Sequence, residues 1–133
     1  MRQVFLDTVG LLAVREKSDQ WHVSPVSAMS RFANLGTRTW TSDSVMLECG
    51  NAVARKEYHD EFVNMRIDFL TLGTLAVPTE LEIDFAWDAY ARRFAAGAGI
   101  VDQISFVLIK RLGIMEAFTN DEHFRAAGFV TLF

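Results

Sequence analysis

Apolar and polar positions along the chain switch between solid short runs and stripes at three- and four-residue spacing. Val4, Phe5 and Leu6 make a solid run, the mark of a strand buried on both faces, and predict a first strand over Gln3–Leu6 that ends on Asp7. A short helix follows through Leu11, Leu12 and Val14. In "SDQWHVSPVSAMSRFANL", Trp21, Val26, Met29 and Phe32–Ala33 fall near helical spacing, with Ser18 or Asp19 as N-cap, Pro25 near the first turn and Gly36 as the stop. "TRTWTS" alternates as a second strand, and "SDSVMLECGNAVARK" reads as a helix capped by Ser42 or Asp43. A further helix over 58–70 places Phe62, Met65 and Phe69 on one face. A short strand at Thr74–Val77 leads through Pro78 into a long helix carrying Ile83, Trp87, Tyr90 and Phe94. Beyond the break "AAGAG", "VDQISFVLIKRLG" is a helix apolar almost all round, stopped by Gly113. The chain closes with a strand "EAF", a loop "TND", one helical turn at His123–Ala126 and a last strand "FVTLF".

Strands alternating with helices predict an α/β fold around a mainly parallel sheet, because parallel neighbours need crossover connections. With 133 residues, half of them apolar, and eleven Phe, the chain suits a single domain over Met1–Phe133 with a substantial core. Trp21, Trp40 and Trp87 are expected to pack in that core. The lone Cys49 fits a reducing compartment, and no apolar run approaches the ~20 residues that span a bilayer. The first strand leaves no room for a signal segment, so the expectation is a soluble, cytoplasmic protein without membrane partners. The net charge of −4, from 13 basic and 17 acidic residues, is unusual for a protein that grips phosphates alone. It becomes compatible with nucleic acid if the negative charge gathers where cations neutralise it.

Four carboxylates supply candidates for that gathering. Taken singly, Asp7, Asp102 and Asp121 each sit where an acid caps a helix, and Glu48 reads as an ordinary helical glutamate at the edge of a buried stripe. Taken together, Asp7 follows the first strand, Glu48 rides the helix after the second, Asp102 opens the helix leading into "EAF", and Asp121 follows that strand. A parallel sheet would point all four toward one end, where ligands collect in open α/β folds. Converging carboxylates repel and raise one another's pKa unless cations are present. Hard divalent ions, Mg²⁺ or Mn²⁺, suit such oxygen ligands, and His22, His59 and His123 share no zinc-like spacing.

The blocks "VFLDT", "SVMLECGNAVAR" and "GIVDQISFVLIKRLGIMEAFTNDEHFRAAGFVTLF" resemble the successive motifs of the PIN domain, most closely the small VapC-type toxins of bacterial toxin–antitoxin pairs. The resemblance runs from Val4 to Phe133 and is most specific over the last third. It implies a three-layer sandwich with a parallel sheet between helices, and an acidic site holding Mg²⁺ or Mn²⁺ that cuts single-stranded RNA. By position, Asp7 matches the first acid, Glu48 the glutamate of the "LLE…NA" helix, Asp102 the third acid and Asp121 the acid of the "T-x-D-x-x-F" block. Thr8 and Thr119 match the hydroxyl residues that accompany the first and last acids. Where many relatives carry Ser or Thr before the third acid, this chain has Gly99, Ile100 and Val101. The resemblance also implies a small antitoxin partner and a homodimer.

Asp7 and Asp102 are expected to hold the principal ion, with Glu48 and Asp121 completing its surroundings or orienting water. Arg15 and Lys17 are the preferred phosphate contacts; Arg55, Lys56, Arg92 and Arg93 read as solvated or dipole-complementing cations. Cys49 reads as a small buried apolar residue. Phosphoaspartyl phosphatases want a second aspartate where Val9 stands, and receiver domains want adjacent acids at the first site. The alternative that stays open is a catalytically inactive PIN-like module that binds RNA or protein.

Overall fold

The computed structural model describes residues 1–16 and 31–133. Expectations for Lys17, Ser18, Asp19, Trp21, His22, Pro25, Val26 and Met29 lie outside the described residues. Strands β1 (Gln3–Leu6), β2 (Arg38–Ser42), β3 (Leu75–Ala76), β4 (Glu116–Phe118) and β5 (Val130–Thr131) form a sheet in the order β3-β2-β1-β4-β5. Every pairing is parallel. The sheet is flanked by α1 (Thr8–Arg15), α2 (Asp43–Ala52), α3 (His59–Leu72), α4 (Glu80–Ala91), α5 (Ile100–Leu112) and α6 (Glu122–Ala126), and residues 31–34 are also helical. This is the expected α/β sandwich.

β1 lies at the centre, and Val4, Phe5 and Leu6 are 0% exposed, as the solid apolar run predicts. α1 leaves β1 and approaches β4 closely at Gly10: a Cβ there would run into the carbonyl oxygen and ring of Phe118. Ser42 caps α2, its side chain accepting the Val45 amide at 3.0 Å. Gly113 ends α5 in the left-handed region at φ 69°. Phe106 on α5 meets Phe124 of α6 edge-on, with ring centroids 5.0 Å apart, and also packs against Phe129. These rings tie α5, which carries Asp102, to the segment that carries Asp121.

Five sequence expectations need correction. The strand expected at Thr74–Val77 contracts to Leu75–Ala76, and Phe94 lies beyond the long helix, which stops at Ala91. α2 ends at Ala52 rather than running to Lys56, and the last strand contracts to Val130–Thr131. Trp87 is 51% exposed instead of packed in the core. The reason is local: α4 buries Ala86 and packs against α5, so its larger side chains, Tyr90 among them, turn outward. Trp40 is half-buried and donates its indole N–H to Gln3 Oε1 at 2.8 Å.

Candidate active site

The sheet order reverses between β1 and β4: the chain steps from β1 outward to β3, then crosses back to β4 on the other side. At such a switch point a crevice opens beyond the carboxyl ends of the strands. Leu6 pairs in register with Phe118, so the next residues, Asp7 and Thr119, meet across the crevice. The Thr119 hydroxyl donates to Asp7 Oδ2 at 3.0 Å and accepts the Asp121 amide at 3.1 Å.

Asp7 occupies the N-cap position of α1, yet its side chain makes no cap hydrogen bond. The capping explanation therefore fails here. The residue is 1% exposed, and Oδ1 has no hydrogen-bond partner. Burial, reinforced by the charge of Asp102 and more weakly by Asp121, pushes its carboxyl up to about 7, against the pull of the Thr119 hydroxyl and the Thr8 amide. An unpaired buried acceptor is costly unless something else satisfies it.

The other three acids converge on the same locus. Asp102 is the third residue of α5 and accepts the Gly99 amide at 3.1 Å. Burial raises its carboxyl, with Asp121 and Glu48 adding to the rise while the Gly99 amide and His123 oppose it. Asp121 does cap α6, accepting the His123 amide at 2.9 Å, and its Oδ1 lies 2.8 Å from the His123 Nδ1. Glu48 is more exposed than its place beside the buried stripe suggests, but Thr8 Oγ1 donates to its Oε1. Cys49 is fully buried, and its thiol is pushed up to about 12 by burial, with Asp7 and Glu48 adding to the effect.

Among the described residues, Asp102, Asp121 and His123 each offer one ligand atom within 4.8 Å of the others. His123, two residues after Asp121, therefore lies at the site, as its place in the sequence suggests, although no zinc-like spacing marks it. The available signal was its position two residues after a capping aspartate, where the helix's first turn aims the imidazole back at the cap. Among the described residues, no Lys or Arg pairs with Asp7, Glu48, Asp102 or Asp121. A buried carboxylate with an open oxygen, surrounded by further oxygen donors and one imidazole, fits a hard divalent cation.

No protein-family model and no curated protein matches the chain. Solved structures do match it. VapC20 of Mycobacterium tuberculosis, described as a sarcin–ricin loop cleaving toxin, aligns with a TM-score of 0.73 and 25% identity over 96% of each chain. The chain has the VapC-type PIN-domain fold. FitAcB from Neisseria gonorrhoeae aligns at TM-score 0.68 and 15% identity, over 98% of this chain and 96% of that one. DNA-bound VapBC from Salmonella typhimurium gives 0.65 and 18% over 98% and 97%.

The cations of this PIN fold are unequally available. Arg15 is engaged: Nε donates to Glu61 at 2.7 Å, and the guanidinium lies 4.0 Å from the Tyr58 ring centroid. A phosphate contact by Arg15 would have to displace Glu61. Arg92 pairs with Asp88 at 3.0 Å. Arg93 has no ion pair among the described residues and sits exposed beside the acidic end of the PIN sheet. No helix among the described residues is long and apolar enough to cross a membrane.

Proposed function

We propose that this chain is a metal-dependent endoribonuclease, the toxin of a toxin–antitoxin pair, which hydrolyses phosphodiester bonds of single-stranded or looped RNA. The observation that carries this reading is the buried Asp7 carboxyl, its Oδ1 unpartnered, at the switch point of the sheet among three further acids. Asp7 and Asp102 would hold Mg²⁺ or Mn²⁺, and Glu48 and Asp121 would complete the ligand set or orient water. Such an ion would lower the pKa of a bound water and neutralise charge on the phosphoryl oxygens.

The remaining residues position these acids. Thr119 fixes the Asp7 carboxyl and the start of the Asp121 turn through one hydroxyl. Thr8 steadies Glu48, and Asp121 orients the imidazole of His123. The protein works in the cytoplasm, partnered by a small antitoxin and by a second copy of itself. Two apolar grooves support protein partners. One, of about 370 Å³, is lined by Met46, Leu47, Phe62 and Val63 between α2 and α3. The other, of about 410 Å³, is lined by Leu81, Phe85, Phe94 and Phe106 between α4 and α5.

The test is incubation of purified protein with a panel of structured RNAs, with Mn²⁺ or with chelator, beside Asp102→Asn. Cleavage that needs the ion and Asp102 is expected. RNA binding without cleavage under any ion would replace this reading with the inactive binding module.

A further inference from the structure

The turn between α4 and α5 builds a second feature beside the acids. Two non-glycine residues within it, Arg93 and Ala95, take left-handed backbone conformations at φ 57° and 49°, followed by Gly97 at φ 94°. Such a run is unfavourable for L-residues and persists only where surroundings enforce it. The enforcement is visible. Gln103, 1% exposed, donates its side-chain amide to the Phe94 carbonyl at 2.6 Å, and the next residue back, Asp102, holds the Gly99 amide. One turn of α5 therefore places both an acid of the site and the wall of this turn.

The turn encloses an open cleft of about 470 Å³ lined by Tyr90, Ala91, Arg93, Gly97, Ala98 and Gly99. It abuts the acidic cluster directly: a Cβ on Gly97 would lie 3.0 Å from His123 Nε2. Tyr90 is 46% exposed and is braced edge-on by Trp87, with ring centroids 5.5 Å apart at 86°. The Arg93 amide donates to the Tyr90 carbonyl at 3.1 Å, which sets the two residues at the same end of α4. An exposed, braced aromatic ring and a guanidinium with no ion pair among the described residues, at the lip of a cluster of acids, match unpaired nucleotides, which offer a base face to stack and a phosphate to neutralise.

We propose that this cleft seats a nucleotide flanking the scissile phosphate of single-stranded RNA, its base stacked on Tyr90 and its phosphate held by Arg93. The inference rests on the nuclease reading for the identity of that phosphate.

The experiment measures anisotropy of fluorescein-labelled oligouridine and oligoadenosine with the full chain in chelator, across a salt series. Tyr90→Ala is expected to weaken binding about tenfold, and Tyr90→Phe to bind as the parent does because the ring stays. Arg93→Gln weakens both oligomers alike and lowers the salt slope by about one. Arg92→Gln, whose guanidinium already serves Asp88, changes neither. Failure of the parent to bind either oligomer, or parental binding by both Tyr90→Ala and Arg93→Gln, overturns the proposal. So does a change of sedimentation mass in Tyr90→Ala with RNA affinity per protomer intact, which would make the face a protein interface. Metal-dependent cleavage with parental KM in both variants would sink the cleft alone. Binding that needs Tyr90 and Arg93 without cleavage would sink the nuclease reading alone.

Discussion

Thr119 and Asp7, 112 positions apart in sequence, share a buried hydrogen bond of 3.0 Å that joins the ends of two neighbouring strands. The same hydroxyl takes the Asp121 amide, so Thr119→Val strips two partners at once. Thermal denaturation should show a loss of about 1–3 kcal/mol, with Thr119→Ser close to the parent. Nuclear magnetic resonance titration should place the Asp7 carboxyl still higher, since the hydroxyl favours its ionised form. A Thr119→Val protein as stable as the parent would show that the hydroxyl is idle.

Asp7 also makes stability depend on pH. Its carboxyl titrates at about 7 when folded and at 3.8 as a free reference, so the folded chain binds more protons between those values. Stability from this group is complete below the lower value and is lost as pH rises through the higher one, by roughly 4 kcal/mol at most. Without divalent ions, Asp7→Asn should gain on the parent steadily as pH climbs across that window. With Mn²⁺ at pH 8 the parent should recover and the variant should not. Parallel denaturation curves of the two proteins against pH would refute this.

Asp102→Asn should abolish RNA cleavage while leaving the melting temperature equal or higher. The amide oxygen can still accept the Gly99 N–H, and the repulsion with Asp121 and Glu48 disappears. An unchanged cleavage rate would remove Asp102 from the site.

Gly10→Ala should destabilise the fold by about 1–3 kcal/mol or more, because the new methyl meets both the Phe118 carbonyl and its ring, which is fully buried and has little room to move. Chemical denaturation measures it. Since Thr119 follows Phe118, divalent-ion binding should weaken as well.

Much of this was legible in the chain because the decisive signals are local. A buried central strand needs a solid apolar run, and Val4–Leu6 supply one; Ser42, Gly36 and Gly113 punctuate helices by their own chemistry. Parallel strand order alone puts Asp7, Glu48, Asp102 and Asp121 toward one end of the sheet, where the charges of Asp102 and Asp121 act on Asp7 and that of Glu48 acts on Asp102. What escaped depends on tertiary neighbours. A stripe of Ile83, Trp87 and Tyr90 looks like a core face, but the close packing of Ala86 decides which side α4 buries. Arg15 looks available until α3 brings Glu61 against it. The cleft at Arg93 and Ala95 arises from left-handed backbone at ordinary residue types, which no pattern of hydrophobicity encodes.

Cys49 carries a consequence for the cell's oxidants. Oxidation and alkylation proceed through the thiolate, and burial against two acids leaves almost none of it at neutral pH. Peroxide and maleimide therefore meet an unreactive sulfur as long as the chain stays folded. The rate at which maleimide labels this one sulfur is then a clock for global opening, and any cation that settles among the acids above it will slow that clock.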